Sequence, residues 1–541
     1  MGELLIRNAN IFDGYGSQPF VGDILVHDDR IRELGPVGVL AAPDAELIDV
    51  GGLCVSPGFI DVHSHADNAP LYAPPDTLKI AQGVTTEVVG NCGASLAPYE
   101  PNADLDQLLR RTFNLSRLGW RSFDQLFREF DARGYGTNMA PMLGHGVVHS
   151  LVCGLEKRVV RKRDVVRMAR IAEAACGSGC FGLSTGLTYV PGIYAVGSDL
   201  AQVVGSMPPG AIYATHMRDE GLNVRQSLDE AVGIAESAQR GLQISHLKIA
   251  SRRTWGAAGD LLDVLQRARE RGVAVHQDVY PYTAASMSMD ACLPPWALEG
   301  GPSGVVARLE DPSLRERIRE TIEGRQSERS WESLIETAGF GGIVVGGTAS
   351  GAHSGETLLE LGLEMGKPPF DAMCDLLVSE RDHVKMVAHV IDEHDLRTFM
   401  KDRHTMIGSD GAPPGSSPCP HPRVAGTFPR FLGRYVRDLG LMTLSEGIRR
   451  ITSLPAGAFR LEARGLLRRG YFADIVVFDP EAISDRATYV RPFDRPDGIH
   501  HVIINGRIVV RDGECVPQEA GRRLRPCYSS VRPPPGLEEF S

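Results

Sequence analysis

Eight short apolar segments alternate with amphipathic segments through the middle of the chain, and this alternation constrains the fold more than any other feature. The apolar segments cover residues 59–63, 84–90, 138–143, 180–184, 212–216, 242–246, 273–279 and 405–408. Between them, apolar residues recur at helical spacing, for example over residues 164–176, 223–239 and 259–271. Strands that alternate with helices form parallel sheets, and eight such units close into a barrel. We therefore predict an α/β fold with a TIM-type (β/α)8 barrel.

Both ends of the chain have a different pattern, with short strand-like segments separated by turn residues. We predict that residues 1–57 and 465–515 build one small β-sandwich domain, and that residues 58–464 form the barrel. The last two barrel segments lie far apart, which predicts an insertion at about 282–345 that covers the barrel mouth as a mobile flap. Residues 516–541 contain three consecutive prolines and are predicted to be an extended tail.

Composition disfavours several classes of partner. The 541 residues carry 57 Lys and Arg against 68 Asp and Glu, a formal net charge of −11, so a nucleic-acid surface is disfavoured. No apolar run reaches the ~18 residues of a membrane span, and the first residues lack the pattern of a secretion signal. The ten cysteines are scattered, which is typical of reduced thiols. We expect a cytoplasmic protein that acts on a small molecule, without nucleic-acid or membrane partners and of unknown oligomeric state.

Potential metal ligands follow several of the predicted barrel strands. They are His63, His65, Cys92, His216, His246 and Asp410. Each alone has an ordinary explanation, since a buried cysteine is usually a small apolar residue and Ser-Asp-Gly is usually a turn. Their joint occurrence is more specific, because the carboxyl ends of barrel strands meet on the face where barrel enzymes build their active sites. The sequence therefore predicts a metal site at this face.

The motifs around these residues resemble those of a known family. They are Pro-Gly-Phe-Ile-Asp-Val-His-Ser-His at 57–65, Gly-Asn-Cys-Gly at 90–93, Thr-His-Met-Arg at 215–218, Ser-His-Leu-Lys at 245–248, Ser-Asp-Gly at 409–411 and His-Pro-Arg at 421–423. Over most of its length the chain resembles the amidohydrolase superfamily, and within it the N-acyl-D-amino-acid deacylase (D-aminoacylase) family. The resemblance implies zinc-dependent hydrolysis of N-acyl-D-amino acids to a carboxylate and a free D-amino acid.

The resemblance also implies how the metal is bound. One tight zinc would be held by Cys92, His216 and His246, with the cysteine in the place that a carboxylated lysine takes in many relatives. A second, weaker metal position would lie at His63, His65 and Asp410. Thiolate and imidazole are good zinc ligands, and three of them leave one coordination position open for water. Asp410 is then the natural general base and acid, which takes a proton from water activated by the metal and gives it to the departing nitrogen.

Substrate binding requires groups that meet a carboxylate. The resemblance implies this role for Lys248 and Arg423, and an arginine offers two parallel donors to a carboxylate. We expect the two cations to be unpaired until the substrate's carboxylate binds. The family's tyrosines in two segments touch the substrate or the developing oxyanion, and the candidates in this chain are Tyr189, Tyr194, Tyr280 and Tyr282.

Three alternatives remain open on the sequence. Residues 182–186 match the Gly-x-Ser-x-Gly nucleophile turn of serine hydrolases at Ser184, although Pro191 and Gly192 follow too early for the required helix. A second alternative is hydrolysis of a cyclic amide, such as a hydantoin or dihydroorotate, or of a β-aspartyl dipeptide. The third, and less favoured, is a scaffold with this fold but without catalysis.

Overall fold

The two ends of the chain lie in one β-sheet. The computed structural model of the protein describes residues 2–72, 77–115, 118–324, 331–413 and 420–528. The N-terminal strands are β1 (Glu3–Ile11), β2 (Phe20–His27), β3 (Arg30–Gly35), β4 (Glu46–Asp49) and β5 (Cys54–Pro57). Near Asn8, whose φ is 56°, β1 changes its partner from β4 to β5, and this irregularity bends the sheet. β5 then pairs with a strand from the other chain end, with Val55 opposite Val477.

The predicted barrel strands all form. They are β6 (Phe59–Asp61), β7 (Val84–Val89), β8 (Asn138–Pro141), β9 (Leu143–Gly144), β10 (Gly182–Gly186), β11 (Ile212–His216), β12 (Gly241–Ile244) and β13 (Val275–Val279), with one more strand that follows the insertion. β8 and β9 occupy one position in the barrel, because the N–H of Met142 between them donates to the carbonyl of Val89 at 2.9 Å. Every neighbouring pair in this series is parallel, as crossover helices require.

Helices lie between the barrel strands. They are α1 (Leu78–Ala81), α2 (Ala103–Phe113), α3 (Phe123–Arg133), α4 (His145–Cys153), α5 (Lys162–Ser178), α6 (Gly197–Gly205), α7 (Val224–Ala238) and α8 (Ala258–Glu270). The periodic segments of the sequence correspond to α5, α7 and α8, each of which buries one apolar face.

The insertion is larger than predicted and has its own sheet. Its strands are β14 (Ala285–Ser288), β15 (Ile343–Thr348) and β16 (Val384–Ala388), and its helices are α9 (Gly301–Glu310), α10 (Pro312–Ile322), α11 (Leu334–Ala338), α12 (Leu358–Met365) and α13 (Pro369–Ser379). β16 pairs antiparallel with both β14 and β15. The predicted boundary at 345 is therefore too early: the chain returns to the barrel where the N–H of Ile391 donates to the carbonyl of Thr283. The prediction rested on composition, and composition does not show that the later strand β16 pairs with β14 and β15.

The last barrel strand, β17 (Thr405–Ile407), follows α14 (Glu393–Lys401) and closes the barrel against β6. The N–H of Asp410 donates to the carbonyl of His63 at 2.7 Å, and the N–H of His65 donates to the carbonyl of Gly411 at 2.9 Å. A Cβ at Gly408 would lie 2.6 Å from the Cβ of His63. The approach of the first and last strands therefore requires a glycine at 408.

The remaining elements return the chain to the terminal sheet. They are α15 (Arg423–Arg430), which continues as a π-helical segment (Phe431–Asp438), α16 (Leu444–Ile451), α17 (Ser453–Ala458), β18 (Ile475–Phe478), β19 (Ile499–Ile504), β20 (Arg507–Arg511) and β21 (Glu514–Cys515). The described part of the predicted tail lies along β8, where the N–H of Leu524 donates to the carbonyl of Met139 and the N–H of Met139 donates to the carbonyl of Arg522. The proline run of the tail lies outside the described residues. Among the described helices, none combines the length and the apolar character needed to cross a bilayer.

Candidate metal centre

The predicted ligands meet at the carboxyl ends of the barrel strands. His63 and His65 follow β6, Cys92 follows β7, His216 ends β11, His246 follows β12 and Asp410 follows β17. Three of these residues have left-handed backbones, with φ of 52° at Cys92, 36° at His246 and 49° at Asp410. Such a conformation costs about 1–3 kcal/mol and is concentrated at functional sites, where the surrounding structure enforces it. The chain thus turns sharply after three strands in order to aim these side chains at one point.

The ligand atoms are close enough to bind metal. In each of three sets the ligand atoms lie within 4.8 Å of one another: His63 with His65 and Cys92, Cys92 with His216 and His246, and His63 with His246 and Asp410. The Cys92 Sγ is 3.3 Å from His63 Nε2 and 3.4 Å from His246 Nε2. Cys92 belongs to two of the sets, so the arrangement places the thiol between two adjacent metal positions.

The charge of the site prepares Cys92 for metal binding. Burial raises the pKa of the Cys92 thiol, but the neighbouring His63 and His246, together with hydrogen bonds from His216 and His246, outweigh burial and hold the pKa well below its usual value. The thiolate is the form that binds metal. The same imidazoles that accompany Cys92 as candidate ligands therefore favour its reactive form.

Asp410 lies between the histidines and an arginine. Its Oδ1 is 3.1 Å from His65 Nε2 and 3.6 Å from His63 Nε2, and its Oδ2 is 2.9 Å from Arg423 Nη1. Burial raises the pKa of Asp410, but Arg423 and the surrounding histidines hold it well below its usual value. The carboxylate is therefore ionised and able to accept a proton.

Glu220 was not identified from the sequence, although it contacts two candidate ligands. Its Oε1 is 3.0 Å from His246 Nδ1 and accepts a hydrogen bond from Lys248 Nζ at 2.6 Å, and its Oε2 is 3.4 Å from His216 Nε2. A carboxylate on the second nitrogen of a ligating histidine fixes the orientation of the ring. The available signal in the sequence was an acidic residue in the loop directly after His216, four residues from this candidate ligand.

Asp278 is a second acid that the sequence reading missed. It lies on β13 near its carboxyl end, where its Oδ1 is 3.4 Å from His63 Nδ1 and accepts the backbone N–H of His246 at 2.8 Å. Asp278 thus contacts both the turn after β12 and the ring of His63, which follows β6. Asp278 could have been found in the sequence, because it lies near the carboxyl end of the predicted barrel strand 273–279.

A buried lysine, Lys79, forms an ion network beneath the candidate ligands. Lys79 is 1% exposed, and its ammonium pairs with Asp61 and lies 3.4 Å from Glu87 Oε2. Asp61 Oδ1 in turn accepts the backbone N–H groups of His63 and Ser409. Because His63 is a candidate ligand and Ser409 precedes the candidate ligand Asp410, this buried ion network joins β6 to β17 beneath the metal positions.

Replacement of Lys79 by methionine is expected to lower the free energy of unfolding by about 3–5 kcal/mol, the cost of leaving buried carboxylates without their cation. The comparison is between urea unfolding curves of Lys79→Met and of Lys162→Met, whose lysine is exposed at the start of α5. Equal stability of the two variants would contradict a structural role for the buried lysine.

The two cations predicted to bind a substrate carboxylate are already paired, so the expectation that they lack partners was wrong. Lys248 contacts Glu220 and also lies 2.8 Å from His246 Nδ1, while Arg423 pairs with Asp410. Glu220 reaches Lys248 across two neighbouring strands, and Asp410, which follows β17, reaches Arg423 at the start of α15, so the sequence alone does not show either pair. Arg423 is held in turn by His421, whose Nδ1 accepts the N–H of Arg423 at 3.1 Å and whose Nε2 lies 3.0 Å from the carbonyl of Ala284.

A cavity of about 210 Å³ opens above the candidate ligands. Its wall includes Cys92, His216, His246, Asp410, Lys248 and Arg423, and also residues of the insertion such as Met287 and Ser288. The insertion therefore forms part of the cavity wall, whereas its predicted mobility stays a prediction.

Two of the four candidate tyrosines line the cavity. Tyr189 lines the cavity with its ring 4.8 Å from that of His216, and Tyr280 lines it with the guanidinium of Arg423 at 4.7 Å from its ring centre. Tyr194 and Tyr282 are not among its lining residues, so Tyr189 and Tyr280 are the two candidates that reach the cavity, and contact of any of the four with a substrate stays a prediction. Tyr282 is instead covered by Arg430 and by the ring of His421.

Ser184 does not form a nucleophile turn. It lies inside β10, fully buried, where its Oγ donates to the carbonyl of Gly90 at 2.5 Å and accepts the N–H of Gly93 at 3.0 Å. The serine-hydrolase alternative is therefore wrong. Ser184 instead holds the turn that carries Cys92.

Comparisons with known proteins agree with this geometry. Residues 46–321 and 336–510 match the model of the amidohydrolase family. D-aminoacylase of Alcaligenes xylosoxydans xylosoxydans is 34% identical over 529 residues, which cover 96% of this chain and 97% of that protein. A solved structure of D-aminoacylase, from work on its binuclear metal centre, covers 97% of this chain and 100% of that chain with a TM-score of 0.81 and 31% identity. N-acyl-D-glutamate deacylase of Bordetella bronchiseptica, solved with zinc and a phosphonate mimic of the tetrahedral intermediate, has a TM-score of 0.81 at 29% identity, with 97% and 100% coverage.

Proposed function

The chain belongs to the amidohydrolase family, and on this premise we propose that it hydrolyses the amide bond of N-acyl-D-amino acids with zinc as its cofactor. The products are a carboxylate and a free D-amino acid. One observation carries the proposal: a single cavity holds a set of zinc-type ligands, the carboxylate of Asp410 and the cations Lys248 and Arg423. A scaffold without catalysis would have no use for this combination.

The residues present fit zinc. Cys92, His216 and His246 supply one sulfur and two nitrogen donors, all within 4.8 Å of one another, and leave a fourth coordination position free. His63, His65 and Asp410 offer donors for a second, weaker position. When bound, zinc lowers the pKa of a water molecule toward about 7 and polarises a carbonyl oxygen.

Asp410 performs the proton transfers in the proposed reaction. Its ionised carboxylate accepts a proton from the attacking water, and it returns that proton to the amide nitrogen as the C–N bond breaks. The contacts with His65 and Arg423 hold the carboxylate in one orientation during both steps. A neutral amine then leaves, which is what amide cleavage requires.

The substrate's α-carboxylate binds to Lys248 and Arg423. Each cation has one carboxylate partner in the structure, and an arginine has further donors for a second one. The α-carboxylate is held at these two cations and the scissile carbonyl is held above the candidate ligands. The substrate's amino-acid side chain can then extend into the cavity in one direction without a clash. Only one configuration at the α-carbon satisfies all three constraints, and we propose that it is D.

The direct test is hydrolysis of paired N-acetyl-D- and N-acetyl-L-amino acids by the zinc-loaded protein, measured as released acetate and free amine. We expect cleavage of D substrates with little cleavage of their L partners. Cleavage of a hydantoin, dihydroorotate or a β-aspartyl dipeptide in preference to every N-acetyl-D-amino acid would overturn the proposal.

Arg423→Ala is expected to lower kcat/KM for N-acetyl-D-amino acids. The loss should correspond to about 2–5 kcal/mol of transition-state stabilisation, the cost of truncating one member of a buried charge pair. Removal of Arg423 also frees Asp410, so the loss alone does not identify the anchor. The decisive measurement is the ratio of kcat/KM for the free acid to that for its methyl ester, which should fall in Arg423→Ala and stay unchanged in Arg225→Ala, an exposed arginine on α7. An unchanged ratio in Arg423→Ala would exclude the anchoring role.

A further inference from the structure

The cavity has a second polar end, formed by residues that the proposed reaction does not use. This distal cluster consists of Arg111 on α2, Ser288 on β14, Asp290 just after it, and Asp382 and Lys385 at β16. Arg111, Ser288, Asp290 and Lys385 line the same cavity as the candidate ligands. A substrate bound at the metal positions therefore shares its space with these charges.

Within the distal cluster, the arginine is fully paired. Arg111 Nη2 donates to Asp290 Oδ1 at 2.5 Å, Nη1 lies 3.1 Å from Asp382 Oδ2, and Nε donates to Ser288 Oγ at 3.1 Å. Burial and the nearby Asp290 raise the pKa of Asp382 well above its usual value, which favours its neutral form. Both carboxyl groups of the distal cluster, Asp290 and Asp382, thus contact Arg111.

Lys385 is the cation of the distal cluster without a carboxylate. Among the described residues its ammonium forms no ion pair, and its hydrogen bond is to Ser288 Oγ at 3.4 Å. Burial and the neighbouring Arg111 lower the pKa of the Lys385 ammonium to about 8, because together they outweigh the opposing attraction of Asp290 and Asp382, neither of which forms an ion pair with it among the described residues. A carboxylate placed beside it would relieve this cost.

We propose that Lys385, positioned by Ser288, binds a carboxylate carried by the substrate at a distance from the scissile amide, so that the enzyme prefers acidic substrates. This inference rests on the proposed deacylase function and names the substrate class within it. The apolar wall around the distal cluster, which includes Leu108, Met287 and Leu298, strengthens such a charge pair because it excludes water. The carboxylate comes from the amino-acid side chain, as in an N-acyl-D-glutamate, or from a dicarboxylic acyl group.

Substrate pairs that differ by one charge separate these sources. N-acetyl-D-glutamate against N-acetyl-D-glutamine tests a side-chain carboxylate, and N-succinyl-D-leucine against N-acetyl-D-leucine tests an acyl carboxylate. We expect the acidic member of at least one pair to have the higher kcat/KM. In Lys385→Met that preference should fall by roughly 10- to 100-fold, the range of a hydrogen bond to a charged group, while kcat/KM for the neutral member stays within a few-fold.

Two further variants identify the cause of any change. Lys385→Arg should keep most of the preference, because it retains a cation at the distal cluster. Lys367→Met is the matched control, since Lys367 lies on the outer side of the insertion, about half exposed, and pairs with Asp375. A preference that is absent in the parent enzyme, or that survives in Lys385→Met, overturns the inference while the deacylase function stands.

A binding measurement keeps the inference testable if catalysis fails. If none of the four substrates is cleaved, the proposed function is wrong, and calorimetric titration of the same zinc-loaded protein with each substrate decides the role of Lys385. Weaker binding of the acidic ligands to Lys385→Met than to the parent supports the distal site, and equal binding overturns it.

Discussion

Asp410→Asn should lower turnover of N-acyl-D-amino acids by about 100- to 10,000-fold, the contribution of a positioned general acid and base. The amide has nearly the same shape as the carboxylate, so the contacts at His65 and Arg423 lose charge but not space. It cannot accept a proton from water, and it cannot return one to the leaving nitrogen. Because Cys92, His216 and His246 form the tight set of ligands, the tightly bound zinc should remain.

The measurement combines single-substrate kinetics with zinc analysis of the purified variant. Asp263→Asn serves as the control, since this aspartate lies exposed on α8. Turnover of Asp410→Asn within a few-fold of the parent enzyme across the pH range would assign the proton transfers to another group. Loss of the tight zinc together with turnover would instead place Asp410 among the main ligands.

The strands and the candidate ligands could be predicted because their signals are local. In the five-residue segments that end in His216 and His246, the apolar residues predict the strand and the adjacent histidine predicts the ligand. The barrel then needs no further information, because parallel strands with crossover helices bring their carboxyl ends to one face.

The interactions around the ligands could not be predicted, because they join residues that are distant in sequence. Lys79 pairs with Asp61 and binds Ser409, which lies 330 residues away, and nothing near Lys79 in the sequence marks it as buried. Glu220 likewise reaches Lys248 only after β11 and β12 lie side by side. The expectation of an unpaired Lys248 failed for this reason, and that for Arg423 failed because its contact with Asp410 forms only when the start of α15 packs against the end of β17.

The end of the insertion was also hard to predict, because it is defined by strand pairing and not by a local sequence pattern. β16 is apolar and follows a helix, so its local pattern is that of a barrel strand, and only its antiparallel pairing with β14 and β15 assigns it to the insertion. This difference has a functional consequence, because β16 carries Lys385 into the cavity. The part of the chain that the sequence placed least accurately is the part that we propose to select the substrate.

Cys92→Ala is expected to lower the affinity of the tight zinc by at least about 100-fold and to reduce hydrolysis to the background rate. Replacement of a residue that only orients a ligand already costs 10- to 100-fold in metal affinity, so loss of a ligand should cost at least as much. Cys92 also belongs to two of the three ligand sets, as His63 and His246 do, so its loss is expected to weaken both metal positions.

The control for Cys92→Ala is Cys176→Ala, which removes a buried thiol on α5 that belongs to none of the ligand sets found among the described residues. Zinc content after dialysis, together with hydrolysis of an N-acetyl-D-amino acid, should fall in Cys92→Ala and stay near the parent values in Cys176→Ala. Added zinc at high concentration should restore little activity to Cys92→Ala, because the two remaining imidazoles, His216 and His246, lack the thiolate that completes the site. Full zinc content with full activity in Cys92→Ala would remove the cysteine from the metal centre and with it the proposed basis of catalysis.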